Sequence, residues 1–223
     1  PEWAPLMRNA QQILADHPVN HRRVAQGKLP ATSIWPWGSG KMPDMPTLSA
    51  RFNIRGTMIS AVDLLNGLGV CVGLDIAKVE GATGYIDTNY EGKAAAALEA
   101  LERQDFVFVH LEAPDEAGHQ GRLDHKIQAI EDFDQRIVAP IIAALRARQE
   151  SFRVVVTMDH FTPLALRTHT AEPVPALIYD SRQRINGSDL SLDERLLMGD
   201  NGLQPIAGYT LIEYLLEKRT QHG

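Results

Sequence analysis

Apolar positions along the chain follow two alternating rhythms, and the alternation sets out the fold. Helical spacing puts Leu6, Met7, Ala10, Ile13 and Leu14 on one side of a helix over residues 5–16. His17-Pro18 should end it, because a residue before proline avoids the α region. A basic loop follows, from His21-Arg22-Arg23 to Lys28, and a proline-rich connector runs through Pro43 and Pro46. Residues 57–62 read as a strand, with a short helix over 63–68 and an alanine-rich helix over 91–103. A long helix over 123–148 carries Ile127, Ile130, Phe133, Ile137, Ile141 and Leu145 as the stripe meant for the core. Phe106-Val107-Phe108-Val109-His110-Leu111 and Val154-Val155-Val156-Thr157-Met158 are continuous apolar runs, the pattern of central parallel strands buried on both faces. Residues 173–179 predict a further strand and 209–219 a terminal amphipathic helix. Strands alternating with helices imply an α/β fold, a mostly parallel sheet with helices on both faces.

The two continuous apolar runs stop at side chains capable of holding metal. The first runs into Glu112-Ala113-Pro114-Asp115-Glu116-Ala117-Gly118-His119, the second directly into Asp159-His160. Open α/β sheets place ligands just beyond the carboxyl ends of their strands, so neighbouring strands could deliver all these groups to one edge. Asp115 and His119, four residues apart, reach one ion from either a helical turn or a compact loop, and Pro114 and Gly118 favour the loop. Asp159 and His160 would diverge on a strand and converge only on a loop that curls. His169 supplies a third imidazole. Carboxylate and imidazole donors without thiolates suit catalytic zinc, manganese or cobalt. The set is too large for one catalytic zinc and suggests two ions about 4 Å apart, a layout that clamps both oxygens of a phosphoryl displacement.

Composition narrows the classes. At 223 residues and 44% hydrophobic, the chain can bury one sizeable core. A net charge of -6 without a basic stripe argues against nucleic acid. No apolar stretch approaches the roughly 18 residues of a membrane span, and no signal segment is evident, so no membrane partner is expected. The lone Cys71 suits a reducing cytoplasm. Arg22, Arg23 and Lys28 could grip an oxyanion or form a solvated basic loop. The stretch Trp35-Pro36-Trp37-Gly38-Ser39-Gly40-Lys41 fails the phosphate-loop pattern, since Trp35 and Met42 stand where glycine and Ser/Thr are required. His110, inside an apolar strand, reads as a hydrogen-bonded core histidine, and Glu131, Asp132 and Asp134 as the wet face of the long helix. The opening Pro1-Glu2-Trp3, without an initiator methionine, looks like a piece of a longer protein.

Together these residues resemble the cofactor-independent phosphoglycerate mutases of archaeal type, a branch of the alkaline phosphatase superfamily. The likeness runs through His17-Pro18-Val19-Asn20 with Arg23, the stretch from Ile34 to Gly40, Gly81-Ala82-Thr83-Gly84 with Thr88-Asn89-Tyr90 and Lys93, and the string from His110 to His119. It continues through Lys126, Ile130-Glu131 and Asp134 to Asp159-His160 and His169. The resemblance implies Asp115, His119 and His169 on one divalent ion and Asp159 and His160 on another, the ions being Mn, Zn, Co or Mg. It implies interconversion of 3- and 2-phosphoglycerate through a phosphoserine, with Arg23 holding the small phosphorylated substrate. The family's nucleophilic serine and a further aspartate have no counterpart here. Residues 1–29 then match the end of an inserted lid domain and 30–223 the carboxyl-terminal part of the catalytic domain, incomplete at its N-terminal side. A sheet lacking its first strand should associate through the open edge, and such a chain alone should be inactive. The alternatives are a metal-dependent phosphatase or other phosphotransferase of the same superfamily, and a non-catalytic metal-binding module.

Overall fold

The computed structural model describes residues 3–38, 40–183, 191–197 and 203–216. The chain divides into two compact units, Pro1–Asp44 and Met45–Gly223. Ser39 and residues 217–219 of the expected terminal helix lie outside the described residues.

The first unit holds α1 (Trp3–Ala15) and α2 (Pro18–Ala25). His17-Pro18 does interrupt the helix, but only for a residue or two. Pro18 takes the first turn of α2, where its missing N–H costs nothing, and His17 Nδ1 accepts from Val19 N at 3.2 Å. The basic segment expected as a loop from His21 is therefore helical to Ala25. Buried Asn20 ties this helix down: its amide donates to Leu14 O and Ala31 O, both at 2.7 Å, and its oxygen accepts from Ala31 N at 2.8 Å.

The second unit begins with α3 (Leu48–Phe52), followed by β1 (Gly56–Ile59), α4 (Asp63–Cys71) and β2 (Asp75–Ile76). Next come α5 (Tyr90–Ala100), β3 (Phe106–Val109) and α6 (Ala113–Gln120). β1 is buried throughout and pairs in parallel with β2 on one side and β3 on the other. Gly56 permits the closest approach, since a Cβ there would lie 2.6 Å from Phe106 O. α4 packs on β1 and β2, α5 on β1 and β3. The buried face of α5 is Tyr90, Lys93, Ala94, Ala97 and Ala100, so alanines bring its backbone near the sheet. The α/β fold with a parallel sheet is as expected. The strand β3 is not central, however: in the order β2-β1-β3 it stands at an edge, and Phe108 is 42% exposed.

The long helix forms as α7 (Leu123–Phe133), a π turn (Asp134–Val138) and α8 (Ala139–Ala147). The wide turn comes just before Pro140, whose absent N–H cannot join a regular helical ladder. Ile137 and Leu145 are buried as the periodicity requires, whereas Ile127 and Ile130 are 48% and 53% exposed, against expectation. β4 (Arg153–Thr157) pairs antiparallel with β5 (Ala176–Asp180) in a separate ribbon. The expectation of two neighbouring parallel strands is thus corrected, because the β4 run finds its partner in the next strand rather than in β3. Arg153 and Arg182 both grip Asp180, at 2.6 and 2.8 Å, and hold its carboxyl well below the usual range. A short 3₁₀ turn (Gly208–Thr210) leads into α9 (Leu211–Leu216). None of the described helices is long and apolar enough to cross a membrane.

Candidate metal centre

Helix α6 begins where β3 ends, and its sequence explains why the segment is helix rather than the loop expected from Pro114 and Gly118. Proline is tolerated in a first turn, and Asp115 and Glu116 there complement the helix dipole. Gly118 serves packing: a Cβ would come 2.6 Å from Thr162 O and 3.0 Å from Lys126 Nζ. Gly121, left-handed at φ 69°, closes the helix against the Arg167 guanidinium. Asp115 and His119 therefore sit one turn apart on the same helix face.

The residues after β4 come to that face. Asp115 Oδ2 lies 3.2 Å from His119 Nε2, Asp115 Oδ1 3.4 Å from His169 Nε2, and the two imidazole Nε2 atoms are 3.0 Å apart. His160 stacks on His169 with ring centroids 3.7 Å apart, and its Nδ1 is 4.0 Å from Asp115 Oδ1. Asp159 Oδ1 accepts from His160 N at 3.0 Å while its Oδ2 lies 3.3 Å from His160 Nε2, so the adjacent pair does curl to one side. The structure thus brings Asp115, His119, His160 and His169 together, with Asp159 against His160. Arg23 belongs to the first unit, where Nε donates to Leu29 O at 2.9 Å.

The donor set fits a cation. His119 Nδ1 faces Arg167 O at 2.9 Å, so this nitrogen carries the proton and donates it, leaving an Nε2 lone pair. That lone pair faces a carboxylate oxygen and a second imidazole nitrogen, a repulsive cluster unless a proton or cation sits within it. A tetrahedral ion with bonds of about 2.0–2.1 Å has ligand–ligand edges of about 3.3 Å, which these separations match. Asp115, His119 and His169 have ligand atoms all within 4.8 Å of one another, and so do Glu112, Asp115 and Glu116.

Thr162 and Ser60 escaped the sequence reading, while Lys126 and Lys93 entered it only through the resemblance. The buried Thr162 hydroxyl donates to Asp115 Oδ1, and Thr162 O accepts from Lys126 Nζ at 2.9 Å. Burial pushes the Lys126 ammonium down from the ordinary lysine range. Hydrogen-bonded support of this kind orients ligands and tunes affinity. The only sequence signal for Thr162 was its place two residues after Asp159-His160. After β3, His110 Nδ1 is hydrogen-bonded with Ser60 Oγ at 3.3 Å, and its Nε2 lies 3.3 Å from Glu112 Oε2. The fully buried Lys93 Nζ donates to His110 O at 3.1 Å. Burial lowers the pKa of His110 and Lys93, and burial with the neighbouring Asp115 carboxylate raises that of Glu112. Ionisable groups gathered and perturbed together at a strand end are the pattern of a candidate functional site.

Comparison with known proteins agrees with a metal-dependent site. A family model described as the Metalloenzyme superfamily matches residues 9–218. A probable 2,3-bisphosphoglycerate-independent phosphoglycerate mutase of Geobacter sulfurreducens is 51% identical over 213 residues, 96% of this chain and 53% of its own length. A protein named as the same mutase in Methanosarcina acetivorans is 54% identical over 177 residues, 79% of this chain and 45% of its own. The solved structure of a Pyrococcus horikoshii protein superposes with a TM-score of 0.77 at 27% identity, covering 97% of this chain and 57% of that one. The chain spans about half the length of the curated relatives it matches.

Proposed function

The chain belongs to the Metalloenzyme superfamily, and from that premise we propose that its residues form the carboxyl-terminal part of a phosphoglycerate mutase acting through two divalent ions. The observation that carries this reading is the cluster of Asp115, His119 and His169 at 3.0–3.4 Å, joined to relatives named as 2,3-bisphosphoglycerate-independent phosphoglycerate mutases. Asp115, His119 and His169 hold one ion in this reading, and Asp159 with His160 contributes to a second. The ions, when bound, supply positive charge against the transferring phosphoryl group and lower the pKa of a coordinated hydroxyl.

The remaining roles fall to this chain's own groups. Arg167 O fixes the His119 tautomer, and Thr162 with Lys126 holds Asp115 in place. Arg23 binds the substrate anion from a lid whose end is residues 1–29, with residues 30–223 in the catalytic domain. The phosphoryl group passes through a serine that these residues do not supply, between the 3- and 2-hydroxyls of glycerate, in the cytoplasm. Among the described residues β3 stands at a sheet edge, the place where further strands of the fold would pair.

Assay of the full-length enzyme with Mn²⁺ separates this from the phosphatase reading that the same ligands allow. The mutase reading predicts 2-phosphoglycerate formation from 3-phosphoglycerate well in excess of phosphate release. Phosphate release as the dominant outcome would overturn it. Robust turnover by residues 1–223 alone would overturn the assignment of the nucleophile elsewhere.

A further inference from the structure

Helix α6 presents two rows of polar side chains. Asp115 and His119 face the metal cluster. Glu112, Glu116 and Gln120, spaced by four, form a neighbouring row that lines an open cleft of about 360 Å³ with Val62, Gly84 and Tyr85.

Within this row Glu112 is held in an unusual way. Val62 N donates to Ser60 Oγ at 3.0 Å, and Ser60 Oγ lies 3.3 Å from His110 Nδ1. His110 Nε2 lies 3.3 Å from Glu112 Oε2. Val62 N–H donates to Ser60, the Ser60 hydroxyl faces His110 Nδ1, and the other ring nitrogen of His110 sits in ion-pair contact with the carboxylate. Ser60 follows β1 and His110 follows β3, so the chain of bonds links the carboxyl ends of two paired strands to the start of α6. It sets Oε2 of Glu112 against the His110 ring, with the rest of this largely buried carboxylate on the cleft wall. An acceptor so fixed is built to receive a donor from a ligand.

The wall's charge says which part of the ligand that is. Two carboxylates, Glu112 and Glu116, repel a phosphate or a carboxylate but accept a hydroxyl. We propose that Glu112 is a specificity residue that accepts a hydrogen bond from a free hydroxyl of the bound three-carbon hydroxy acid, with His110 and Ser60 as its positioning residues. This rests on the phosphoglycerate reading. Glu112 discriminates glycerate bearing both hydroxyls from analogues lacking one, and Tyr85, whose hydroxyl donates to Gln120 Oε1 at 2.9 Å, lines the same cleft.

Deleting the hydroxyl on the ligand and the acceptor on the protein tests the pair directly. Calorimetric titration of the Mn²⁺-loaded full-length enzyme with 3-phosphoglycerate, D-glycerate, D-lactate and 3-hydroxypropionate gives the affinities, and thermal melting checks that each variant folds. Wild type should bind glycerate about 10- to 100-fold more tightly than one of the two deoxy analogues. Glu112→Ala should reduce that preference to within about twofold, and Glu112→Gln, which keeps a neutral acceptor, to an intermediate value. An unchanged preference in both folded variants, or none in wild type, overturns the role of Glu112 while leaving the mutase reading intact. Failure of wild type to bind phosphoglycerate and glycerate at all overturns the reading itself, and this role with it.

Discussion

The two segments that build the metal cluster are held very differently. On the β3 side, Asp115 and His119 sit on a capped helix. The Asp115 carboxylate accepts from buried Thr162, and its side chain is only 20% exposed. On the β4 side, Asp159, His160 and His169 lie on irregular chain, with the Asp159 and His169 side chains 75% and 52% exposed. His169 reaches furthest across, its Nε2 3.4 Å from Asp115 Oδ1 and 3.0 Å from His119 Nε2. In the two-ion reading proposed above, one site is therefore organised in advance by secondary structure, and the other would consist of two adjacent side chains completed by groups from elsewhere. A ligand pair one turn apart on a helix needs no ordering when the ion arrives, whereas loop ligands lose conformational freedom on binding.

That contrast can be broken most severely at Asp115. Asp115→Asn should weaken the tighter Mn²⁺ or Co²⁺ site of the chain by at least about 100-fold, read by calorimetry. Next in size is Gly118→Ala. The added methyl meets a backbone oxygen at 2.6 Å, so the Thr162 segment must move; stability should fall by about 1–3 kcal/mol in urea unfolding, despite alanine's better helix propensity. Thr162→Val keeps the shape but removes the donor to Asp115, and affinity should drop roughly tenfold with little loss of fold. Asp159→Asn, on the exposed side, should alter the tighter site by less than about threefold while abolishing the weaker one.

The smallest effect concerns pH, away from the metal. Arg136 grips Glu91 at 2.6 and 2.8 Å and lowers its pKa to about 2. A carboxylate depressed in the folded state stabilises it fully above the ordinary carboxylate range, and that contribution disappears as pH falls toward 2. Urea unfolding of wild type and Glu91→Gln from pH 7 to pH 2 should show a small gap that closes on the acid side. A gap that widens on acidification would contradict the assignment.

Much of this architecture was legible in the residues, and the misreadings have physical causes. The alternating strand and helix periods gave the α/β fold, and the two apolar runs ending in Asp and His pointed to groups that do meet. Helix α6 was misjudged because Gly118 reads locally as a breaker, while its purpose is to admit the Thr162 carbonyl, a contact distant in sequence. The apolar run at β4 is chemically indistinguishable from a parallel core strand; only pairing with β5 decides otherwise. Ile127 and Ile130 satisfy the helical stripe yet stay exposed, since periodicity marks a face and not what covers it. Thr162 and Ser60 could not be found from spacing, and Lys126 entered only through the resemblance, because their meaning lies in hydrogen bonds across 36 to 50 residues of chain.

Extended X-ray absorption at the metal edge, on the chain loaded with one equivalent of Mn²⁺ or Zn²⁺, tests the central claim most directly. The account predicts two imidazole nitrogens and a carboxylate oxygen around the ion, with one imidazole lost in His119→Ala and another in His169→Ala. A spectrum showing oxygen ligands alone, or one unchanged by both substitutions, would contradict it.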